Sequence, residues 1–182
     1  MKVVYGCIIV AALLASGCRR EAEDDWSWRT ISSDDKSITV AMPGKPKGDN
    51  RNIEISQGTI NVHLKELVTE HVAYKAGYFK YPDGLLISDA EAIFDRSRDS
   101  VVNERNATIV EEYKCNATDY PGKTIILQYS NPGNAAVITM RQDMILARGC
   151  MYLVESILAP DAPPAEIENV DRFHKSLVLN VK

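Results

Sequence analysis

The chain is 182 residues long, 45% hydrophobic and 25% charged, the balance of one globular domain with a short appendage. That composition excludes a disordered, collagenous or polytopic membrane protein. Lys and Arg number 21 against 25 Asp and Glu, a net charge of −4, so no basic field gathers nucleic acid and none is expected as a partner.

Residues 1–17 read as an export signal rather than as fold. Lys2 supplies a positive start, and Val3 to Ala15 carries no charge. That run is shorter than the roughly 20 apolar residues a membrane-spanning helix needs. Leu14-Ala15-Ser16-Gly17-Cys18 follows, then abruptly Arg19-Arg20-Glu21. Small residues directly before a cysteine resemble the lipobox of bacterial lipoproteins, with Ala15 standing where that pattern usually has Leu. The resemblance implies cleavage before Cys18 and lipid attachment at Cys18 through a diacylglyceryl thioether and an N-acyl chain such as palmitate. Each buried methylene contributes about 0.8 kcal/mol, so several chains hold far more firmly than one. Arg19, rather than Asp, after the cysteine implies the outer membrane, facing the periplasm, in a Gram-negative cell. The other reading of the same segment is a secretory peptide cut after small residues to leave a soluble protein.

Residues 18–27 then form a lipidated cysteine and charged tether, and 28–182 a single domain. Trp26 and Trp28 open the domain as its first core contact. Ser37 to Met42 alternates as a strand and stops at Pro43-Gly44-Lys45-Pro46. Asn52 to Ser56, Thr59 to Val68 and His71 to Tyr81 continue the alternation, with Gln57-Gly58 as a hairpin turn, so the first half reads as a meander of antiparallel strands. Ser88-Asp89-Ala90-Glu91 is a capping box, and Ile93, Phe94, Ser97, Val101 and Val102 recur at helical spacing over residues 89–105. Strands resume at Ala107 to Asn116, Lys123 to Ser130, Ala135 to Ala147 and Cys150 to Leu158. Ala159 to Pro164 opens a second helix, with Ile167, Val170, Phe173 and His174 along one stripe, and Leu177-Val178-Leu179 is a terminal strand or extended tail. The expected class is α+β, an antiparallel sheet of about six to eight strands flanked by two helices.

Of four cysteines, Cys7 leaves with the signal and Cys18 carries lipid. The remaining pair, Cys115 and Cys150, is expected to form one disulfide in an exported chain. His63, His71 and His174 share no ligand spacing, so no metal is expected and the three read as surface or half-buried.

Other motifs lead nowhere. Pro121-Gly122-Lys123-Thr124 ends like a phosphate-binding loop, but Ala117 stands where the motif needs glycine and strands flank it on both sides. Asp24-Asp25, Asp34-Asp35 and Glu111-Glu112 are adjacent pairs, and neighbours on a strand point to opposite faces. Asn106-Ala107-Thr108 and Asn116-Ala117-Thr118 are chance sequon matches in a bacterial lipoprotein. No serine sits in a Gly-x-Ser-x-Gly elbow, and three scattered histidines suggest no base beside a nucleophile. No catalytic residue and no cofactor follows from the sequence.

Met42-Pro43-Gly44-Lys45-Pro46, the Tyr120-Pro121-Gly122-Lys123 turn, the strand holding Tyr152, and Phe173-His174-Lys175-Ser176-Leu177 together resemble the PsbP-like α/β/α sandwiches, a family that takes in the bacterial lipoprotein DcrB. The resemblance covers roughly residues 26–181, with Leu177 where the pattern ends in Phe. It implies a non-enzymatic interaction or assembly module with a protein partner in the cell envelope. The alternative is a carrier or sensor of a small apolar ligand, which requires an enclosed apolar pocket between sheet and helix.

Overall fold

The computed structural model describes residues 27–55, 58–82, 89–115, 118–130, 133 and 135–181. The export signal, Cys18, most of the tether, Trp26 and Ser88 lie outside the described residues.

Among the described residues, two antiparallel sheets and two helices make up the domain. Strands β1 (Trp28–Ser32), β2 (Ile38–Pro43) and β10 (Val178–Leu179) form a small sheet in the order β1-β2-β10. The long sheet runs β3-β4-β5-β9-β8-β7-β6, from β3 (Lys47–Ile55), β4 (Gly58–Val68), β5 (Val72–Lys80), β6 (Thr108–Lys114), β7 (Gly122–Ser130), β8 (Val137–Ala147) and β9 (Cys150–Leu158). The expected meander is therefore β3 to β5. Residues 28–43 leave it because β2 ends at Pro43 and Gly44, at φ 125, turns the chain away where an L side chain would be strained.

Alternation along the strands sorts the core into two layers. Val72, Tyr74 and Ala76 of β5, with Tyr152 and Val154 of β9, face the small sheet and helix α2 (Pro164–Lys175), meeting Ile38, Val40, Met42, Val170, Phe173 and Leu177. Ile125, Leu127, Met140, Met144, Leu146 and Met151 face the other way, onto Ile93 and Phe94 of helix α1 (Ala90–Arg105). The sheet is thus covered by α1 on one face and by α2 with the small sheet on the other.

Both helices begin as their sequences dictate. Asp89 is the N-cap of α1, its carboxylate accepting from the Ala92 amide at 3.1 Å, and Asn106 closes the helix in the left-handed region at φ 50. The start of α2 has no side-chain cap; Pro163 and Pro164 fill the turn where free N–H groups would otherwise lie. Ile167, expected in its apolar stripe, is exposed, and the buried face is Val170, Phe173 and His174.

The bridge expected between Cys115 and Cys150 is absent: neither cysteine is in a disulfide. Cys115 bonds through its amide to Gly122 on β7, Gly122 pairs with Ile145 on β8, and Ile145 pairs with Tyr152 on β9, two residues from Cys150. Three strand spacings separate the two cysteines, on the order of 14 Å, against a disulfide limit of about 7 Å between Cα atoms.

Candidate functional site: a sealed hydroxyl–carboxylate–imidazole chain

A constellation with the distances of a catalytic chain lies between α2 and the long sheet. Thr124 on β7 and Asp143 on β8 are cross-strand partners, and Ser156 on β9 pairs with Arg141, two residues from Asp143 on the same face. His174, near the end of α2, points down among them. Its Nδ1 lies 2.7 Å from Asp143 Oδ2 and its Nε2 lies 2.9 Å from Ser156 Oγ. The Thr124 hydroxyl donates to Asp143 Oδ1 at 2.7 Å, and Arg141 Nε is 3.5 Å from the same oxygen.

These contacts fix the protons. An ionised carboxylate only accepts, so Nδ1–H donates to Asp143; Nε2 of a neutral ring then accepts from the Ser156 hydroxyl. Burial pushes the His174 imidazole below its ordinary value of 6.5, more strongly than the Asp143 carboxylate raises it. Burial also presses the Asp143 carboxyl upward, yet the His174 hydrogen bond, with Arg141 and Thr124, holds it below its ordinary 3.8. The chain is a carboxylate beside a neutral imidazole, satisfied at both ends.

By distance alone this is a serine–histidine–aspartate arrangement. Access decides against catalysis. Ser156 and Thr124 are 1% exposed and Asp143 and His174 2%, and Ser156 stands in the middle of a paired strand under α2. No substrate carbonyl reaches Oγ, so the arrangement works as a fastening that pins α2 to three strands.

The sequence reading placed His174 on the α2 stripe yet took it for a surface or half-buried side chain; it is sealed. The signal was available: Asp143 shares the inward register of Ile145 and Ala147, Ser156 that of Tyr152, Val154 and Leu158, and His174 follows Phe173 on the buried stripe. Three polar residues at inward positions need one another. Their separation in sequence hid the pairing.

Several other charged groups are also engaged. Lys123 Nζ lies 2.7 Å from Asp95, 2.8 Å from Glu112 and 2.9 Å from Glu91, fastening α1 to β7 and β6. Burial would lower its ammonium, but the carboxylates outweigh burial and hold it above its ordinary value, so it stays charged. Gly122, Lys123 and Thr124 lie in a strand, and no phosphate loop forms. Arg98 reaches Asp95, Asp99 and Glu112. Of the acidic pairs, Asp34 holds Lys65 while Asp35 accepts from Ser33 and Ser37, and Glu112 faces α1 while Glu111 lies exposed on the opposite face. Among the described residues no group of three or more His, Cys, Asp or Glu side chains could hold a metal ion.

Two hollows bear on ligand binding. The cavity between the sheets, lined by Ile31, Ile38, Val40, Leu64 and Ala76 among others, holds about 10 Å³, room for one water and not for an apolar ligand. An open cleft of about 380 Å³ borders His63, Tyr78 and Lys80, with the His63 ring stacked on Tyr78 at 5.0 Å and Tyr78 on Tyr152 at 5.9 Å. Burial, with the Asp35 carboxylate beside it, pushes the Tyr78 phenol up to about 12. Burial likewise raises the nearby Cys150 thiol, which leaves little thiolate near neutrality. At the far edge of the sheet, all seven residues of β6 are exposed, Ile109, Val110 and Tyr113 among them.

No family model matches the chain, and no curated protein matches its sequence. Solved structures do match. The cyanobacterial PsbP protein CyanoP of Synechocystis superposes with a TM-score of 0.57 at 12% identity, over 92% of this chain and 98% of its own. The fold is PsbP-like. A Pseudomonas aeruginosa protein of unknown function (TM-score 0.49, 12% identity, 74% of this chain and 100% of that one) and the Ran-binding protein Mog1p of Saccharomyces cerevisiae (0.48, 9%, 85% and 96%) are more distant. At 12% identity, the likeness to CyanoP places the two helices and the long sheet of the PsbP-like domain and assigns no residue a role.

Proposed function

We propose that this chain is a lipid-anchored cell-envelope protein whose PsbP-like domain is a protein-interaction or assembly module without chemistry of its own. The observation that supports the non-enzymatic reading is the burial of Ser156, His174 and Asp143: among the described residues, the nucleophile with a base in reach is shut inside the domain. The lipobox-like run ending in Cys18 supports the anchor, with Cys18 as the lipid-bearing residue and the outer membrane as the site in a Gram-negative cell. Among the described residues no helix is long and apolar enough to cross a membrane. The carrier reading requires an enclosed apolar pocket, and the cavity between the layers is too small to be one.

Two experiments test the proposal. Cys18→Ser is expected to move the protein out of the membrane fraction; unchanged fractionation removes the anchor. In-cell crosslinking of the lipidated protein, read by mass spectrometry, is expected to give one dominant envelope partner with the linked residues on the domain surface. Recovery of a bound small molecule with no protein partner would reverse the order of the two readings.

A further inference from the structure

We propose that α2 is an acid-weakened latch: as pH falls, the helix opens from the long sheet while the sheet itself stays folded. The inference rests on how α2 is held. Its apolar hold is Val170 and Phe173, in the core shared with β2, β5 and β9; its other attachments are polar or, for Arg172 over the Trp28 ring, cation–π. His174 bonds to Asp143 and Ser156, Asp171 to Arg141 at 3.2 Å, Glu166 to the Tyr74 phenol at 3.2 Å, and the Ser176 hydroxyl accepts from the Ala41 amide at 2.7 Å. The seven-stranded sheet is instead held by continuous backbone ladders.

His174 is the fastening that acid disturbs. A second ring proton turns Nε2 into a donor toward Ser156 Oγ, and the Ser156 hydroxyl must then aim its own proton elsewhere; among the described residues its side chain has no other hydrogen-bond partner. The charged groups that reach the ring are Asp143 and Arg141 of β8 and Asp171 of α2 itself. Asp143 and Asp171 favour the charged ring, Arg141 opposes it, and the desolvation of a side chain with no exposed surface opposes it most. Thr124 of β7 and Ser156 of β9 contribute neutral hydroxyls, β5 meets α2 through Tyr74, and β2 through the Ala41 amide.

The sign follows directly. A histidine whose value is depressed in the closed state takes up its proton on opening once pH drops below its ordinary value of 6.5. Acid therefore favours the open state. From pH 7.5 to 5.0 the opening constant is expected to rise, with a ceiling of about 30-fold set by an open ring at its ordinary value. Asp143 adds its own weakening only lower, as pH falls below the ordinary carboxylate value of 3.8.

Hydrogen exchange on the full-length protein at pH 7.5 and 5.0, corrected for intrinsic rates, tests the latch. Peptides from α2 are expected to lose protection, by at most about 30-fold, peptides from β5 and β9 to change little, and His174→Gln to abolish the pH effect at α2. Should that variant fail to fold, the imidazole shifts of the wild type provide the second readout, with the closed ring charging below its ordinary value of 6.5. Equal loss in helix and sheet, constant α2 protection down to pH 5.0, an undiminished effect in His174→Gln, or a closed ring that charges at its ordinary value would each overturn the latch.

Discussion

Replacing Ser156 by alanine separates a fastening from a catalytic chain. The substitution removes one hydroxyl and leaves a methyl group in the same place, so the cavity it creates is small. What it takes away is the donor to Nε2 of a neutral, fully buried His174. An orphaned buried acceptor costs about 1–3 kcal/mol, and Ser156→Ala is expected near the lower end because the ring keeps its bond to Asp143. His174→Ala is a harsher case: it leaves the Asp143 carboxylate buried with the Thr124 hydroxyl and Arg141 as its remaining partners and opens a cavity under α2. Losing one member of a buried pair costs about 3–5 kcal/mol. Urea unfolding at pH 7.5 with an unchanged denaturant slope measures both. The expected order is wild type, then Ser156→Ala, then His174→Ala. A Ser156→Ala variant as stable as wild type would refute the fastening. So would covalent labelling of Ser156 in the folded protein by a serine-directed phosphonate, because a hydroxyl under α2 should not react.

Other substitutions probe the remaining architecture. A methyl carbon added at Gly77 would sit 2.0 Å from the His63 carbonyl oxygen and 2.9 Å from Leu64 Cα, all backbone, so Gly77→Ala is expected to cost about 3 kcal/mol or more or to block folding; a wild-type melting temperature would show that β4 and β5 lie further apart there. Lys123→Met is expected to loosen α1 and to flatten the acid limb of the stability curve. Lys123 holds Asp95 and Glu112 below their ordinary values, and stability of that kind is present above those values and lost as pH falls through the depressed ones; an acid limb identical to wild type would show that the cage contributes nothing. Phe173→Ala, which empties a fully buried site against Tyr74, is expected to cost about 3–5 kcal/mol in the same urea assay. Alkylation without reductant, followed by mass mapping, should find Cys115 and Cys150 separately modified after unfolding; a linked peptide would contradict the strand order between them.

Much of the fold was legible because its period is local. The alternation of β5, the cap and amphipathic spacing of α1, and the Cys150–Leu158 strand each lie within one run of residues, and the structure reproduces their ends within a few positions. The split into two sheets was not legible. Whether Ile38–Pro43 pairs with β3 or with Trp28–Ser32 and the chain's last strand depends on a partner about 140 residues away, across the Thr39–Val178 register. The same limit explains the disulfide: two cysteines near strand ends look compatible until β7 and β8 are placed between them. It also explains the missed hydrogen-bonded chain, whose members come from four elements and meet only when the sheet order is known.

Burial of this chain constrains where function can lie. Interior carboxylate and imidazole groups are costly unless paired, and here each is paired within hydrogen-bond distance on the α2 side of the sheet. On the α1 side, Lys123 is saturated by three carboxylates in the same way. Both helices are therefore held on the sheet by charged or polar contacts as well as by their apolar stripes. What the domain offers outward is different in kind: the stacked His63 and Tyr78 rings beside an open cleft, and the apolar side chains of β6. Partner capture, rather than a substrate screen, is therefore the experiment that discriminates between the proposed readings of this protein.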